Sequence, residues 1–173
     1  MPEQNIEETG TDPQSRPRSA LNTAAGLLAI AILIATAFVG WQWKHQRDND
    51  IAAREGLSAA QRFVGVLTNI DGGKLDENFT SAADGSTGEF KDQYAQSSAQ
   101  LRRLLAENKA AAHGMVVESA VKSASPDTVE VLLFVDQSVS NATNPQPRLD
   151  RSRIRMTMKK IDGRWLASKV ELP

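Results

Sequence analysis

Cysteine is absent from this chain of 173 residues. Disulfide frameworks, thiolate nucleophiles and cysteine-based zinc sites are therefore excluded. The redox compartment is left open, because many exported proteins also lack cysteine. Histidine is scarce as well, since His45 and His113 are the only two. Metal binding and acid–base catalysis have few side chains to draw on, and no metal or cofactor is predicted.

Charge of a single sign is also lacking. The chain carries 20 Lys and Arg against 21 Asp and Glu. Net charge therefore points to no class of partner, and without an RNA- or DNA-binding motif nucleic acid is not expected. The length, with 40% hydrophobic residues, suits one modest domain plus an appendage.

Apolar side chains are almost missing from residues 1–19. This stretch holds three Pro, four acidic residues and two Arg, and its one aliphatic residue is Ile6. Such a segment cannot bury enough apolar surface to offset the entropy lost on ordering. Residues 1–19 are therefore predicted to form a disordered tail.

A long uncharged run follows the tail. From Ser19 to Trp43 the chain has 25 consecutive residues without a charge, and about 20 apolar residues are enough for a helix to cross the hydrocarbon core. Trp41 and Trp43 lie where an interfacial aromatic belt is expected. The sequence therefore predicts a transmembrane helix over residues 20–43.

A cleaved signal peptide is the alternative, because Ala35-Thr36-Ala37 resembles a cleavage site. The apolar run continues past that site, which favours a permanent anchor. Basic residues flank the run on both sides, so the positive-inside rule decides little. A short tail before a first helix favours a single-pass protein of the cell membrane, with a cytoplasmic N-terminus and residues 44–173 outside the cytoplasm.

The first half of that domain has helical periodicity. Apolar residues recur every three or four positions and predict an amphipathic helix over 51–70. Packing against the domain's own core is favoured over a coiled-coil stalk, because the pattern covers only two to three heptads. Asp71-Gly72-Gly73 is predicted to end this helix. Further helices are predicted over 75–83 and 87–108.

The second half of the domain is predicted to form β-strands. Runs rich in β-branched and aliphatic residues, separated by turn formers, predict strands over 115–124, 128–139, 152–161 and 164–172. Helices first and antiparallel strands afterwards indicate an α+β domain, with the helices packed on one face of a curved sheet.

A tight hairpin is predicted between the last two strands. Asp162-Gly163 suits a type I′ turn, which needs positive φ at both central residues. The resulting register pairs Ile161 with Arg164, Lys160 with Trp165, and Met158 with Ala167. Trp165 then shares a face with Met158, Met156 and Ile154. Gly163 and Trp165 are therefore predicted to be structural, with Trp165 a core residue rather than a ligand-stacking one.

Three short motifs carry a family resemblance. They are TGEF with a following Tyr at Thr87 to Tyr94, FVDQ at Phe134 to Gln137 ahead of Asn141, and DGRW at Asp162 to Trp165. In this order, after one membrane span, the chain resembles the Mce-associated membrane (Mam) proteins of mycobacteria and related actinobacteria. The resemblance runs from about Ala20 to Leu172.

The resemblance implies a cone-shaped fold like nuclear transport factor 2, similar also to the periplasmic domain of an inner-membrane subunit of type IV secretion systems. It implies a non-catalytic, membrane-anchored accessory protein that assembles or stabilises an Mce-type lipid or sterol import complex. The expected partners are Mce subunits or other envelope membrane proteins, membrane lipids, and further copies of the chain. The alternatives are a subunit of another envelope complex, such as a type IV secretion-like assembly, or an isomerase-type protein with a ligand pocket.

An enzyme would need acid–base residues in that pocket. The candidates are Asp71, Asp76, His113 and Asp136, and nothing in the sequence pairs them at a recognisable spacing. Fold analogy alone does not supply a site. The prediction is therefore that the protein is not an enzyme.

Basic residues concentrate near the C-terminus. Arg153, Arg155 and Lys159 alternate along one predicted strand and would lie on the same face of the sheet. The simplest interpretation is a solvated sheet face, protected from aggregation. The alternative is a surface that binds an acidic partner subunit or anionic lipid headgroups.

Overall fold

The computed structural model describes the backbone of residues 18–173 and the side chains of residues 32–173. The predicted tail falls outside the described residues except for Arg18 and Ser19, which already belong to the first helix. The predicted transmembrane segment lies within that helix, although the side chains of residues 20–31 are outside the described part. Across the described residues, none of the helices has an apolar stretch long enough to span a bilayer.

In residues 18–173, three helices precede four strands. The helices are α1 (Arg18–Thr68), α2 (Leu75–Asp84) and α3 (Gly88–Glu107), and the strands are β1 (Ala111–Ala124), β2 (Thr128–Ser140), β3 (Arg148–Ile161) and β4 (Arg164–Glu171). The strands form one antiparallel sheet in the order β1-β2-β3-β4. The predicted α+β class is confirmed. Residues Lys44–Pro173 form a compact unit of their own.

Three predicted boundaries were wrong by several residues. Strand β1 begins at Ala111 rather than 115, because residues 111–114 pair with the end of β2 through their backbone. Helix α1 begins long before residue 51, because the polar residues from Lys44 to Asp50 continue the helix without adding to the apolar periodicity. Strand β3 begins at Arg148 rather than 152, because Arg148, Leu149 and Asp150 pair with the far end of β2 through their backbone. Hydrogen bonding of the backbone extends all three elements beyond their apolar patterns.

Helix α1 packs directly against one face of the sheet, which we call the covered face. A Cβ atom added to Gly56 would lie 2.8 Å from the Cβ of Val129 on β2, so only glycine allows this close approach. Leu133, Met156 and Met158 lie at the centre of the core and are each at most 1% exposed. Burial of such side chains contributes about 1.5–3 kcal/mol each. The predicted packing of this helix against its own domain is confirmed.

Helices α2 and α3 complete the core through aromatic contacts. The rings of Phe63 on α1 and Phe90 on α3 meet edge to face, with centroids 5.9 Å apart. Phe79 on α2 stacks on Tyr94 of α3 at 5.8 Å. Partial burial raises the pKa of the Tyr94 hydroxyl. Gly85, in the predicted break between the helices, is tight against the Phe63 ring, so a Cβ atom would lie 2.6 Å from it.

Side-chain amides from other elements donate hydrogen bonds to the carbonyls at the C-terminal end of helix α1. The Nδ2 of Asn78 donates to the carbonyls of Val66 and Asn69 at 2.8 and 2.9 Å, and Gln137 on β2 donates to the carbonyl of Thr68 at 3.1 Å. The predicted glycine stop at residues 71–73 lies beyond the helix end at Thr68. The orphan carbonyls of the last turn are therefore satisfied by amides from distant elements.

The hairpin between β3 and β4 has the predicted register. Ile161 pairs with Arg164, Lys160 with Trp165, and Met158 with Ala167. Asp162 and Gly163 have φ values of 50° and 79°, as a type I′ turn requires. The register shifts between Thr157 and Met158, so that Met156 pairs with Val170.

Trp165 lies at the margin of the core rather than inside it. The indole is half-buried and packs partly against the core, and its Nε1 donates to the Glu55 carboxylate on α1 at 3.0 Å. Lys160 donates to the same carboxylate at 2.8 Å, and its Nζ lies 5.5 Å from the centre of the indole. This tryptophan therefore joins the last strand to the first helix through its polar edge.

Candidate functional site

The covered face of the sheet leaves little room for a ligand. In a cone-shaped domain a pocket would lie between the helices and the sheet. Here that position is filled by Leu133, Met156, Met158 and Val64, all of them buried. Their close packing makes this side of the domain a structural core.

The four candidate acid–base residues do not form a constellation. The carboxylate of Asp71 accepts a hydrogen bond from the backbone of Gly73 at 2.9 Å, and Asp76 on α2 pairs with Arg102 at 2.7 Å. His113 and Asp136 project from neighbouring strands on the opposite face of the sheet, with the Asp136 carboxylate 3.5 Å from Arg151. In the part of the chain that the structure describes, no hydrogen bond or ion pair joins any two of the four candidates.

The other face of the sheet, which we call the open face, carries exposed apolar side chains. Phe134 on β2 is 47% exposed, and Val117 and Met115 on β1 are 56% and 64% exposed. Val117 lies at a bulge, where the register between β1 and β2 shifts between Val116 and Glu118. Phe134 and Val117 contribute to a shallow hollow of about 750 Å³, which Glu118, Asp136, Arg151 and Arg153 also line.

Charged residues flank the apolar ones in an ordered way. On the strands either side of Phe134, Glu118 of β1 and Arg153 of β3 are its cross-strand partners. Two residues further along β2, Asp136 has Met115 and Arg151 as its partners. Directly paired residues on one sheet face lie about 4.5–5.5 Å apart at Cβ. The open face therefore presents an acid, an aromatic ring and a base in one row across three strands.

The three predicted basic residues share the open face, but their surroundings differ. Arg155 lies between two acids, with its guanidinium 3.6 Å from Glu130 and 3.8 Å from Glu171. Arg153 and Lys159 are exposed, and neither takes part in an ion pair within the described residues. Acids from β2 and β4 flank Arg155, and the partner-binding role of these three residues stays a prediction.

Ion pairs continue along this face toward β4. Glu171 accepts a bond from Lys169 at 2.9 Å, and this hydrogen bond lowers the pKa of the Glu171 carboxyl. Glu130 accepts a similar bond from Lys122 of β1 at 2.9 Å. The open face therefore combines a small apolar patch with mixed charge, a composition common at protein interfaces.

Phe134 was not predicted as a site residue, although the sequence contains its signal. Val129, Val131, Leu133 and Val135 alternate along β2 and are all buried on the covered face. A period of two then places Leu132 and Phe134 on the opposite face. The continuous apolar run hides this alternation, because a strand with both faces apolar looks like a fully buried one.

Comparison with known proteins places the chain in a family. The family model described as "Uncharacterized protein Rv1363c/MT1408-like" matches residues 18–173. The chain belongs to the Rv1363c/MT1408-like family. Rv1362c of Mycobacterium tuberculosis is 31% identical over 160 residues, covering 89% of this chain and 73% of that protein. "Outer membrane protein Rv1973" of the same species is 31% identical over 145 residues, covering 83% and 90%.

Solved structures share the fold at very low identity. The periplasmic domain of DotI has a TM-score of 0.57 at 9% identity, covering 68% of this chain and 91% of that one. An IcmL-like type IV secretion system protein from Legionella pneumophila scores 0.56 at 9% identity, covering 68% and 88%. VirB8 of Agrobacterium tumefaciens scores 0.52 at 8% identity, covering 67% and 88%.

The α+β part of the fold prediction is confirmed by these structures, since helices pack on an antiparallel sheet as in VirB8-like and nuclear-transport-factor-2-like domains. The names of these relatives and structures do not refer to Mce complexes. Membership of the Mam family therefore stays a prediction.

Proposed function

We propose that this protein is a non-catalytic, single-pass membrane subunit of a multi-protein complex in the cell envelope. Residues 44–173 would lie outside the cytoplasm and act as an interaction domain. The observation that carries the proposal is the open face, where exposed Phe134, Val117 and Met115 adjoin charged residues of both signs. Exposed apolar side chains rimmed by polar ones are typical of protein-binding surfaces.

The filled core supports an interaction domain over a catalytic one. Small-molecule sites are usually concave and largely preformed. The side chains on the covered face pack closely instead, and the hollow on the open face is shallow. A surface of this kind suits recognition of another protein.

The N-terminal part of α1 supports a membrane anchor. Large apolar side chains between Ile32 and Trp43 are exposed, among them Leu33, Phe38 and Trp41. The hydroxyl of Thr36 donates to the backbone carbonyl of Ile32 at 3.0 Å, so this polar group is satisfied within the helix. Exposed apolar side chains and internally satisfied polar groups are what a bilayer requires of a helix.

Two kinds of envelope complex are candidates, a secretion-like assembly and an Mce-type lipid importer. The fold favours the secretion-like assembly. One of the proteins with this fold, the IcmL-like protein of Legionella pneumophila, is named for a type IV secretion system. We therefore place a secretion-like envelope assembly ahead of an Mce-type lipid importer. The Mce alternative is supported by the motif order TGEF, FVDQ and DGRW alone.

Affinity purification tests the proposal. The full-length protein, tagged and expressed from its own locus, is solubilised from native membranes, and co-purifying proteins are identified by mass spectrometry. We expect subunits of one envelope complex, whose identity decides between secretion and lipid import. Phe134→Asp should lower their recovery roughly tenfold, as loss of a central apolar contact does. Gln100→Asp, at an exposed position of α3 on the other side of the sheet, is the control.

Two outcomes would contradict the proposal. One is the recovery of no membrane-complex subunit with the wild-type protein. The other is failure of His113→Ala to complement a deletion strain despite normal abundance and melting temperature. The second outcome would indicate pocket chemistry, because this substitution removes a candidate acid–base group and leaves the hollow around Phe134 in place.

A further inference from the structure

We infer that the open face is a two-fold interface on which a second copy of this chain binds. The inference deepens the proposed function and rests on its interpretation of the open face as an interaction surface. It identifies the partner that binds to this surface as a second copy of the chain. The contacts at its centre are made by Glu118, Phe134 and Arg153.

The order of residues across the sheet is the starting point. Strands β1, β2 and β3 lie side by side, and neighbouring strands are about 4.8 Å apart. Glu118, Phe134 and Arg153 occupy one row across them. The acid and the base are therefore about 10 Å apart, on opposite sides of the ring.

Two-fold symmetry restricts how a second copy can bind to this row. An axis that runs along β2, above Phe134, places β1 of the second copy over β3 of the first. Glu118 of each copy then faces Arg153 of the other, and the two Phe134 rings meet on the axis. An axis across the strands would instead place Arg153 against Arg153 and Glu118 against Glu118, which is repulsive. The charges therefore select one arrangement, which matches the aligned packing common for stacked sheets.

The neighbouring row is compatible with this arrangement. Met115 of one copy lies over the aliphatic part of Arg151 in the other, and the exposed Val117 lies beside the central rings. Asp136 comes near its symmetry mate, but each Asp136 has Arg151 at 3.5 Å to offset its charge. Burial of the exposed apolar side chains then favours association.

The charge balance of the hollow favours a second copy over a strongly charged partner. Its lining contains two acids, Glu118 and Asp136, and two bases, Arg151 and Arg153. Such a surface attracts neither a purely acidic nor a purely basic protein. It is complementary to itself, as a two-fold interface must be. Anchoring both copies in one membrane would raise their effective concentration.

Cysteine crosslinking tests the inference, because the native chain has no cysteine. Full-length Phe134→Cys is expressed in a heterologous bacterial membrane, oxidised with copper phenanthroline and examined on a non-reducing gel. We expect most of the protein as a disulfide-linked dimer. Lys159→Cys is the control, because Lys159 lies on β3, one strand away from the axis, so the two copies of Lys159 are about 10 Å apart across the axis, too far for a disulfide. Equal crosslinking of the two variants would overturn the inference.

Charge reversal tests the orientation. In the Phe134→Cys background, Arg153→Glu and Glu118→Arg should each slow crosslinking roughly fivefold, because each places like charges opposite one another twice. The double reversal restores both pairs and should restore the rate. A double variant that crosslinks no faster than the single ones would overturn the arrangement.

The two proposals fail in different ways. A Phe134→Cys dimer in the heterologous membrane, with no envelope subunits recovered from native membranes, would sustain the interface and contradict the proposed function. Absence of the dimer, with recovery of subunits that depends on Phe134, would overturn the second copy and assign the open face to another protein.

Discussion

Glu55 on α1 is the residue to which the hairpin between β3 and β4 is hydrogen-bonded. Its carboxylate accepts hydrogen bonds from both Lys160 and Trp165, at 2.8 and 3.0 Å. The hydrogen bond from Lys160, followed by that from Trp165, lowers the pKa of the Glu55 carboxyl below its ordinary value of 4.5. The charged form of Glu55 is therefore the one that the folded state favours.

This shift predicts a pH dependence of stability. A carboxyl whose pKa is lowered on folding stabilises the folded state above its ordinary pKa, and loses that contribution as the pH falls through the folded value. We expect Glu55→Gln to lower the urea midpoint at pH 7, and the difference from the wild type to disappear as the pH drops below 4.5. Urea unfolding followed by circular dichroism checks this. A difference that stays constant down to pH 3 would mean that the carboxylate charge is not involved.

Individual residues were predictable where local backbone chemistry decides their role. Asp162 and Gly163 are examples, because the turn type follows from those two residues. The partial exposure of Trp165 was not predictable, since its partner Glu55 lies on α1, in a distant part of the sequence. Phe134 was missed for a different reason, because the continuous apolar run of β2 hides the alternation that separates its two faces.

Among the secondary structure elements, α1 has a C-terminal end that is bonded to side chains and backbone of other elements. Its last carbonyls receive hydrogen bonds from Asn78 of α2 and Gln137 of β2. Gly114 of β1 donates its N–H to the side chain of Asn69 at 3.2 Å, and a Cβ atom on Gly114 would overlap Thr68. The end of the helix is therefore held by three other elements.

Asn78→Ala tests this arrangement. The substitution leaves the carbonyls of Val66 and Asn69 without their amide donor in a part-buried site. We expect a loss of about 1–3 kcal/mol in the free energy of unfolding, measured by urea denaturation. Gln100→Ala, which removes an exposed amide from α3, should change the stability by less than about 0.5 kcal/mol. Equal effects of the two substitutions would show that the capping amide contributes nothing specific.

The elements themselves were largely predictable, and their ends were not. Within residues 44–173, the predicted helices and strands are present where periodicity places them. Periodicity marks only those turns of a helix, or residues of a strand, that face a core. Residues 44–50 of α1 and the first residues of β1 and β3 lie outside that pattern and were therefore missed.

For the molecule as a whole, the proposed membrane anchor and its orientation are predictions that remain to be tested. Ser97 lies on the exposed side of α3, whereas Ser168 is only 8% exposed and is unsuitable for labelling. We expect Ser97→Cys to react with an impermeant maleimide on intact cells, and Ser15→Cys to react only after lysis. The reverse labelling pattern would contradict the proposed orientation. A mature mass that corresponds to cleavage after Ala37 would instead establish a signal peptide.

Fold class was predictable because helices come first and strands come last along the chain. The candidate site was predictable only in part. Alternation along β3 placed Arg153 on a surface, but no local pattern indicates that Glu118 lies two strands away in the same row. That relation depends on the register of β1, which a bulge between Val116 and Glu118 sets.

The strand order β1-β2-β3-β4 also bears on how a newly made chain reaches this structure. Every strand pairs with its neighbour in sequence, so each pairing closes a short stretch of chain and can form quickly. The packing of Gly56 on Val129 joins regions that are far apart in sequence. During synthesis α1 leaves the ribosome long before β2 does, so its apolar side stays uncovered until the sheet has been made. We expect nascent chains to be prone to aggregation at this stage and to need shielding until the sheet emerges.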